Sequence, residues 1–213
     1  MKNKLPIFIY GSLVFGSFVL FSYIVHKDIF TQLDFNTTVR LQDNLSRRYD
    51  SLFSIFSLVG NFEVLSIVLV ILLIVRKKII FGISAILLYI SIHFVELFGK
   101  IFVDHLPPPH FLLRTEKLVD FPQFYVRLEN SYPSGHSART AFISIILILL
   151  IGKSKKLSIN QKYIIWFLVI VFDLTMFISR IYLGEHWTSD VIGGALLGFS
   201  LGLLSFTFLR HKT

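Results

Sequence analysis

The 213-residue sequence contains no cysteine and few charged residues. The lack of cysteine excludes structural disulfides, thiolate nucleophiles and cysteine-bound metals. Charged residues make up 16% of the chain and hydrophobic residues 54%, whereas soluble domains carry roughly 25% charged residues. This imbalance excludes a disordered chain and argues against an ordinary soluble domain. The composition therefore predicts a protein that lies in a membrane.

Long apolar runs divide the sequence into six segments, each near the length of about 20 residues that a membrane-spanning helix needs. We predict an all-α, polytopic membrane protein with six transmembrane helices in a core bundle, forming a single domain over residues 1–213. A signal peptide is the alternative for the first run, but no small-residue cleavage site follows that run. The predicted spans are residues 5–26, 51–75, 79–103, 133–152, 163–182 and 187–209.

Basic residues outnumber acidic ones by 21 to 13, and their placement explains the net charge of +8. If the N-terminus lies in the cytoplasm, four segments face inward, and together they hold eleven basic and no acidic residues. These segments are residues 1–4, 76–78, 153–162 and 210–213. The pattern follows the positive-inside rule. We expect a multi-pass protein of the cytoplasmic (inner) membrane with both termini inside, and no nucleic-acid partner.

This topology brings five polar residues to the outer face. A Ser-Gly pair precedes His136 at a predicted helix start, where free backbone N–H groups bind anions. Cations neutralise phosphate oxygens, and two histidines can divide the roles of nucleophile and general acid. Taken singly, each residue has a plainer explanation as a structural histidine, a snorkelling anchor or a helix cap. Their coincidence at one face indicates phosphate chemistry. The five residues are Lys100, His136, Arg180, His186 and Asp190.

These residues resemble the motifs of the type-2 phosphatidic acid phosphatase superfamily, which is related to the vanadium haloperoxidases. The Pro-Ser-Gly-His motif stands at residues 133–136, and Ser-Arg, five residues, His, three residues, Asp stands at 179–190. The first motif, Lys, six residues, Arg-Pro, departs from the pattern, because Pro107 stands at the arginine position after Lys100. Arg114 and Arg127, in the same outer loop, are the candidates to replace that cation.

The resemblance implies a hydrolase that needs neither metal nor other cofactor. His186 would attack phosphorus and form a phosphohistidine, Asp190 would orient His186, and His136 would protonate the leaving group. The phosphoryl oxygens would be bound by Lys100, Ser134, Gly135 and Arg180. His105 and His110 are interpreted as loop residues rather than metal ligands.

Reactive groups at the membrane surface suit a lipid whose phosphate lies at headgroup level. The family implies undecaprenyl diphosphate, phosphatidylglycerol phosphate, phosphatidic acid or a lipid A phosphate, and the minimal chain favours undecaprenyl diphosphate or a broad range. The expected partners are this substrate and membrane lipids, without an obligatory protein. The alternatives are a lipid-linked phosphotransferase and a catalytically inactive membrane transporter or scaffold that retains the anion site. Pro107 favours the second alternative.

Other charges lie within the predicted spans. Glu96 precedes Lys100 by four residues, a spacing that predicts a helical ion pair. Glu63 and Asp173 lie deeper, where we favour polar contacts between helices over a headgroup path. Arg139 follows His136 by three residues and has two equal interpretations, as part of the phosphate site or as the partner of an acid.

Overall fold

The protein is described by a computed structural model over residues 4–77, 79–116 and 130–209. In these ranges the chain forms α-helices and short 3-10 turns without any β-strand. The predicted all-α fold is confirmed. The α-helices are α1 (Leu5–His26), α2 (Thr31–Asn44), α3 (Asp50–Leu58), α4 (Phe62–Arg76), α5 (Ile79–Phe102), α6 (Gly135–Gly152), α7 (Ile159–Tyr182) and α8 (Thr188–Phe206).

Five of these helices, α1, α5, α6, α7 and α8, are long and apolar enough to cross a membrane. The predicted span 51–75 differs from the structure, because it is broken into α3 and α4, which meet at an angle of 46°. Gly60 and the extended backbone of Asn61 form the break. Counted as one bent span, the pair brings the total to six. Hydropathy missed the break because the apolar residues continue on both sides of it.

Helix α2 lies in the segment that joins α1 to α3 and buries a polar stripe. Asp34, Thr38 and Gln42 recur at every fourth residue and are all buried. Gln42 Nε2 donates hydrogen bonds to the carbonyls of Leu112 (2.7 Å) and Tyr182 (2.8 Å). Hydrogen bonds from Gln42 therefore hold this helix to the loop after α5 and to the end of α7.

Helices α6 and α8 form the buried centre of the protein, and small residues let them approach closely. A Cβ added at Gly198 would lie 2.0 Å from the Ala138 carbonyl oxygen, and one at Gly194 would lie 2.3 Å from that of Ser134. Small residues at such spacing are typical of tightly packed membrane helices. The outer faces of α1, α5 and α7 carry large exposed apolar side chains, as lipid-facing helices do. The packing thus fixes the two helices that begin at the histidine motifs relative to each other.

Candidate active site

His186 and Asp190 meet where the turn after α7 leads into α8. The carboxylate of Asp190 is fully buried, and its Oδ2 lies 3.3 Å from His186 Nδ1. The same oxygen accepts a hydrogen bond from the Trp187 backbone N–H at 3.0 Å. A carboxylate on Nδ1 keeps the proton on that nitrogen, so the other ring nitrogen of neutral His186 carries a free electron pair. That pair is what a nucleophile requires.

The surroundings of His186 favour its neutral form. Burial lowers the pKa of His186, the hydrogen bond to Asp190 raises it, and the nearby charges of Arg180 and Lys100 lower it, so that it falls below its ordinary value. These two cations therefore lie within electrostatic range of the imidazole. The structure brings together four of the residues that the sequence singled out.

His136 is the second residue of α6 and lies within electrostatic range of His186. The hydroxyl of Ser134 caps the helix by accepting from the Ser137 N–H, and the Ser134 N–H donates to the Asp190 carbonyl at 3.0 Å. His136 Nε2 lies 2.9 Å from Asn61 Oδ1, at the break between α3 and α4. Gly60 makes this approach possible, because a Cβ there would lie 2.7 Å from His136 Cδ2. The break in the second span therefore supplies a partner that orients the second histidine.

Lys100 lies close to the start of α6, but its ammonium is held by a carboxylate. Lys100 Nζ donates to Glu96 at 2.9 Å, and Arg139 donates to the other oxygen of Glu96 at 3.0 Å. The Glu96 carboxylate packs against Gly135, where an added Cβ would lie 2.3 Å from it. The predicted helical pair of Glu96 and Lys100 is present, and the alternatives for Arg139 resolve in favour of an acid partner.

Arg180 joins α7 to the bent second span. Its guanidinium donates to the Ser57 hydroxyl and pairs with Glu185, which also accepts from Thr115. The backbone carbonyl of Arg180 accepts from the His186 N–H at 3.2 Å. Arg180 thus holds the nucleophile loop through its backbone and is held by Ser57 and Glu185 through its side chain.

Arg114 was predicted as a replacement for the cation missing at Pro107, but its hydrogen bonds lead elsewhere. Its guanidinium donates to the carbonyls of Leu45 and Gln42 and to the hydroxyl of Tyr182. These contacts join the loop after α5 to the end of α2, because one arginine can donate to several carbonyls at once. The other predicted replacement, Arg127, lies outside the described residues.

His105 lies in a loop, but it is buried rather than a plain surface residue. It is 6% exposed, and its Nδ1 lies 2.9 Å from Asp190 Oδ1. Sequence reasoning missed this contact, and it also missed Asn61, Ser57 and Glu185. Two sequence features could have indicated such contacts: a Gly-Asn pair inside an apolar run, and a histidine five residues after Lys100. In the ranges that the structure describes, no cluster of three or more His, Asp or Glu side chains forms a metal site.

Comparison with known proteins gives relatives for part of the chain. The phosphatidylglycerophosphatase B of Bacillus subtilis (strain 168) is 33% identical over 91 residues, which are 43% of each chain. The undecaprenyl-diphosphatase of Sulfolobus acidocaldarius is 31% identical over 134 residues, which are 63% of this chain and 58% of that protein. The chain therefore spans about half the length of these curated relatives.

Solved structures match over most of the chain. The transmembrane PAP2-type phosphatidylglycerolphosphate phosphatase from Bacillus subtilis superposes with a TM-score of 0.73 at 21% identity, covering 92% of this chain and 93% of that one. Aquifex aeolicus LpxE gives a TM-score of 0.61 at 24% identity, with 82% and 94% covered. These likenesses establish the fold. The profile of the PAP2 superfamily matches residues 77–213, which hold every motif described above. The chain belongs to the PAP2 superfamily.

Proposed function

We propose that this protein hydrolyses a lipid phosphate or diphosphate at the outer surface of the cytoplasmic membrane. The observation that carries the proposal is the pairing of His186 with the buried Asp190 (3.3 Å), next to His136 at the start of α6. The two histidines, the helix N-terminus and the cation Arg180 form the set that phosphoryl transfer through a covalent intermediate requires.

In the first step, the free ring nitrogen of His186 attacks phosphorus, and the bond from phosphorus to the lipid oxygen breaks. His136 gives its proton to the leaving oxygen, which departs as an alcohol or as a lipid monophosphate. Asp190 stabilises the positive charge that develops on His186. Arg180, Lys100, Ser134 and the N–H of Gly135 hold the phosphoryl oxygens while charge shifts onto them.

In the second step, water attacks the phosphohistidine and the phosphorus–nitrogen bond breaks. His136, now neutral, takes a proton from this water, so the second step reverses the first proton transfer. The products are inorganic phosphate and neutral His186. Asn61 supports both steps, because its side-chain oxygen, 2.9 Å from His136 Nε2, orients the ring.

The relatives support a lipid as the substrate. The names of the two relatives specify phosphatidylglycerophosphate and undecaprenyl diphosphate, which share a phosphate joined to a membrane-embedded tail. Histidines at the ends of membrane helices reach that phosphate while the tail stays in the bilayer. We propose undecaprenyl diphosphate or a broad range of such lipids as the substrate, with the described residues acting as one membrane unit.

The test is phosphate release by the purified protein from a panel of undecaprenyl diphosphate, phosphatidylglycerol phosphate and phosphatidic acid in detergent. The protein is expected to release phosphate from at least one lipid, and His186→Ala is expected to abolish release. His110→Ala is the matched control, because this exposed histidine lies in the same outer region. No release from any lipid would refute the hydrolase. Transfer of phosphate to an added lipid or sugar acceptor would identify a transferase instead.

A further inference from the structure

His105 lies between two buried carboxylates. Its Nδ1 is 2.9 Å from Asp190 Oδ1, and its Nε2 is 3.5 Å from Asp34 Oδ2. His105, Asp34 and Asp190 are 6%, 1% and 0% exposed. Asp190 contacts His186 through its other oxygen. A continuous series of side-chain contacts therefore runs from His186 through Asp190 and His105 to Asp34.

Asp34 is itself fixed at the start of α8. Its two carboxylate oxygens accept from the backbone N–H (2.8 Å) and the hydroxyl (2.6 Å) of Ser189. Ser189 immediately precedes Asp190, and the free N–H groups of a helix start attract a negative charge. Helix α2 therefore supplies Asp34, the last residue in this series of contacts. The start of α8 positions both carboxylates.

The charge of His105 follows from these neighbours. An imidazole that faces one carboxylate on each ring nitrogen can donate to both only when both nitrogens carry hydrogen. Among the residues that the structure describes, the groups that face it are Asp34 of α2, Asp190 of α8 and the ring of Tyr132 in the segment before α6. Burial raises the pKa of Tyr132, which therefore stays neutral. A charged His105 thus offsets one of two buried negative charges, which would otherwise be costly so close together.

We propose that His105 is a positioning residue of the active site. As an imidazolium it contacts both Asp190 and Asp34, and so holds the Asp190 carboxylate in the position from which it orients His186. This inference rests on the proposed function. His105 acts through Asp190, because its contacts are with the carboxylate that orients the nucleophile. The first family motif lacks its arginine at Pro107. Here His105, two residues earlier, places a positive charge next to the pair of His186 and Asp190 instead.

A pH dependence follows from the proposal. Burial lowers the pKa of His105, but hydrogen bonds and charge from Asp190 and Asp34 outweigh burial and raise it to about 9. Above that pH, the neutral ring can donate to only one carboxylate, so the connection from Asp190 to Asp34 breaks and the Asp190 carboxylate is held less firmly, while Asp34 keeps its hydrogen bonds from Ser189. We therefore expect kcat to fall as pH rises through about 9.

The test compares His105→Gln and Asp34→Asn with the matched controls His110→Gln and Asp43→Asn, which change exposed residues of the same loop and the same helix. Both test variants are expected to lower kcat on the order of 10- to 100-fold, the range found when the carboxylate partner behind a metal-bound histidine is removed. KM is expected to change less than kcat, because substrate contacts remain. His105→Gln should also lack the fall in kcat near pH 9. The controls should behave as the unchanged protein.

Two outcomes overturn the inference: His105→Gln that keeps the kcat of the unchanged protein, or an alkaline limb that survives in His105→Gln. Folding is monitored by the thermal transition, and Asp34→Asn keeps the test valid if His105→Gln fails to fold. A readout without turnover separates this inference from the proposed function. The ¹⁵N shifts of His105, assigned by their loss in His105→Gln, should show an imidazolium at pH 8, and a neutral ring there would refute the proposal even in an active enzyme.

Discussion

At the scale of single residues, each of the two histidines has a side chain beside it that orients its ring. Asn61 holds the ring of His136, and Asp190 holds that of His186. The sequence motifs identified His136, His186 and Asp190, because motif spacing is written in the chain. Asn61 escaped prediction because its partner stands 75 positions later, and only folding brings the two together.

Replacing Asn61 with alanine is expected to lower kcat on the order of tenfold or more, since general acid catalysis contributes about 10²- to 10⁴-fold and the variant weakens its geometry. KM for the lipid should change less than kcat. Steady-state kinetics of Asn61→Ala and of the control Asn44→Ala, which changes an exposed amide of α2, provide the measurement. Unchanged kcat in Asn61→Ala would remove Asn61 from the mechanism.

The charge of His105 also affects stability. The pKa of His105 in the folded state, about 9, exceeds the ordinary value near 6.5, so the folded protein binds more protons between these two values. The resulting stabilisation is complete below about pH 6.5 and is lost as pH rises through about 9. We expect the thermal transition in detergent to fall from pH 7 to pH 9.5 and to fall less in His105→Gln. Equal slopes in the two proteins would contradict the assigned charge.

At the scale of elements, hydropathy predicted five of the spans to within a few residues, but it missed the break in the second. A run of apolar residues specifies insertion into a bilayer, whereas the bend places Gly60 so close to His136 and Met176 that an added Cβ would clash with them. The buried polar stripe of α2 was equally hidden, because its partners lie in distant loops. The local hydropathy pattern therefore predicts where the helices lie in the sequence. How they bend and pack depends on tertiary contacts.

The packing of α6 on α8 predicts which glycines resist substitution. Gly198→Val would place a Cβ 2.0 Å from the Ala138 carbonyl oxygen and force the helices apart. We expect a loss of about 1–3 kcal/mol in the free energy of unfolding, the usual cost of overpacking, and a lower thermal transition. Gly82→Val on α5 is the matched control, because its Cβ would meet nothing within 4 Å. Equal transitions for the two variants would contradict this packing.

At the scale of the whole molecule, charge counting predicts the orientation in the membrane. The natural lack of cysteine makes single-cysteine labelling direct. His110→Cys, between α5 and α6, should react with a membrane-impermeant maleimide in intact cells, whereas Lys155→Cys, between α6 and α7, should react only after lysis. The reverse pattern would invert the topology and place the histidines at the inner face.

At the level of the whole molecule, this chain also departs from one of the family motifs. The second and third motifs converge around His136 and His186, whereas the arginine expected at Pro107 is absent and Arg114 binds elsewhere. No pattern in one sequence reveals that Arg114 satisfies carbonyls at the end of α2, because such contacts depend on how loops cross. The sequence thus predicted that the motif residues lie together, but it did not predict that Asn61 and His105 lie beside them.

The proposed mechanism requires that His186 carry the phosphoryl group during turnover. The purified protein is mixed with a lipid substrate whose terminal phosphate is radiolabelled, quenched in base to preserve phosphohistidine, and digested for peptide mapping. We expect label on the peptide that contains His186, loss of label and of phosphate release in His186→Ala, and retention of both in His110→Ala. Label on another residue, or undiminished phosphate release by His186→Ala, would contradict the proposed mechanism.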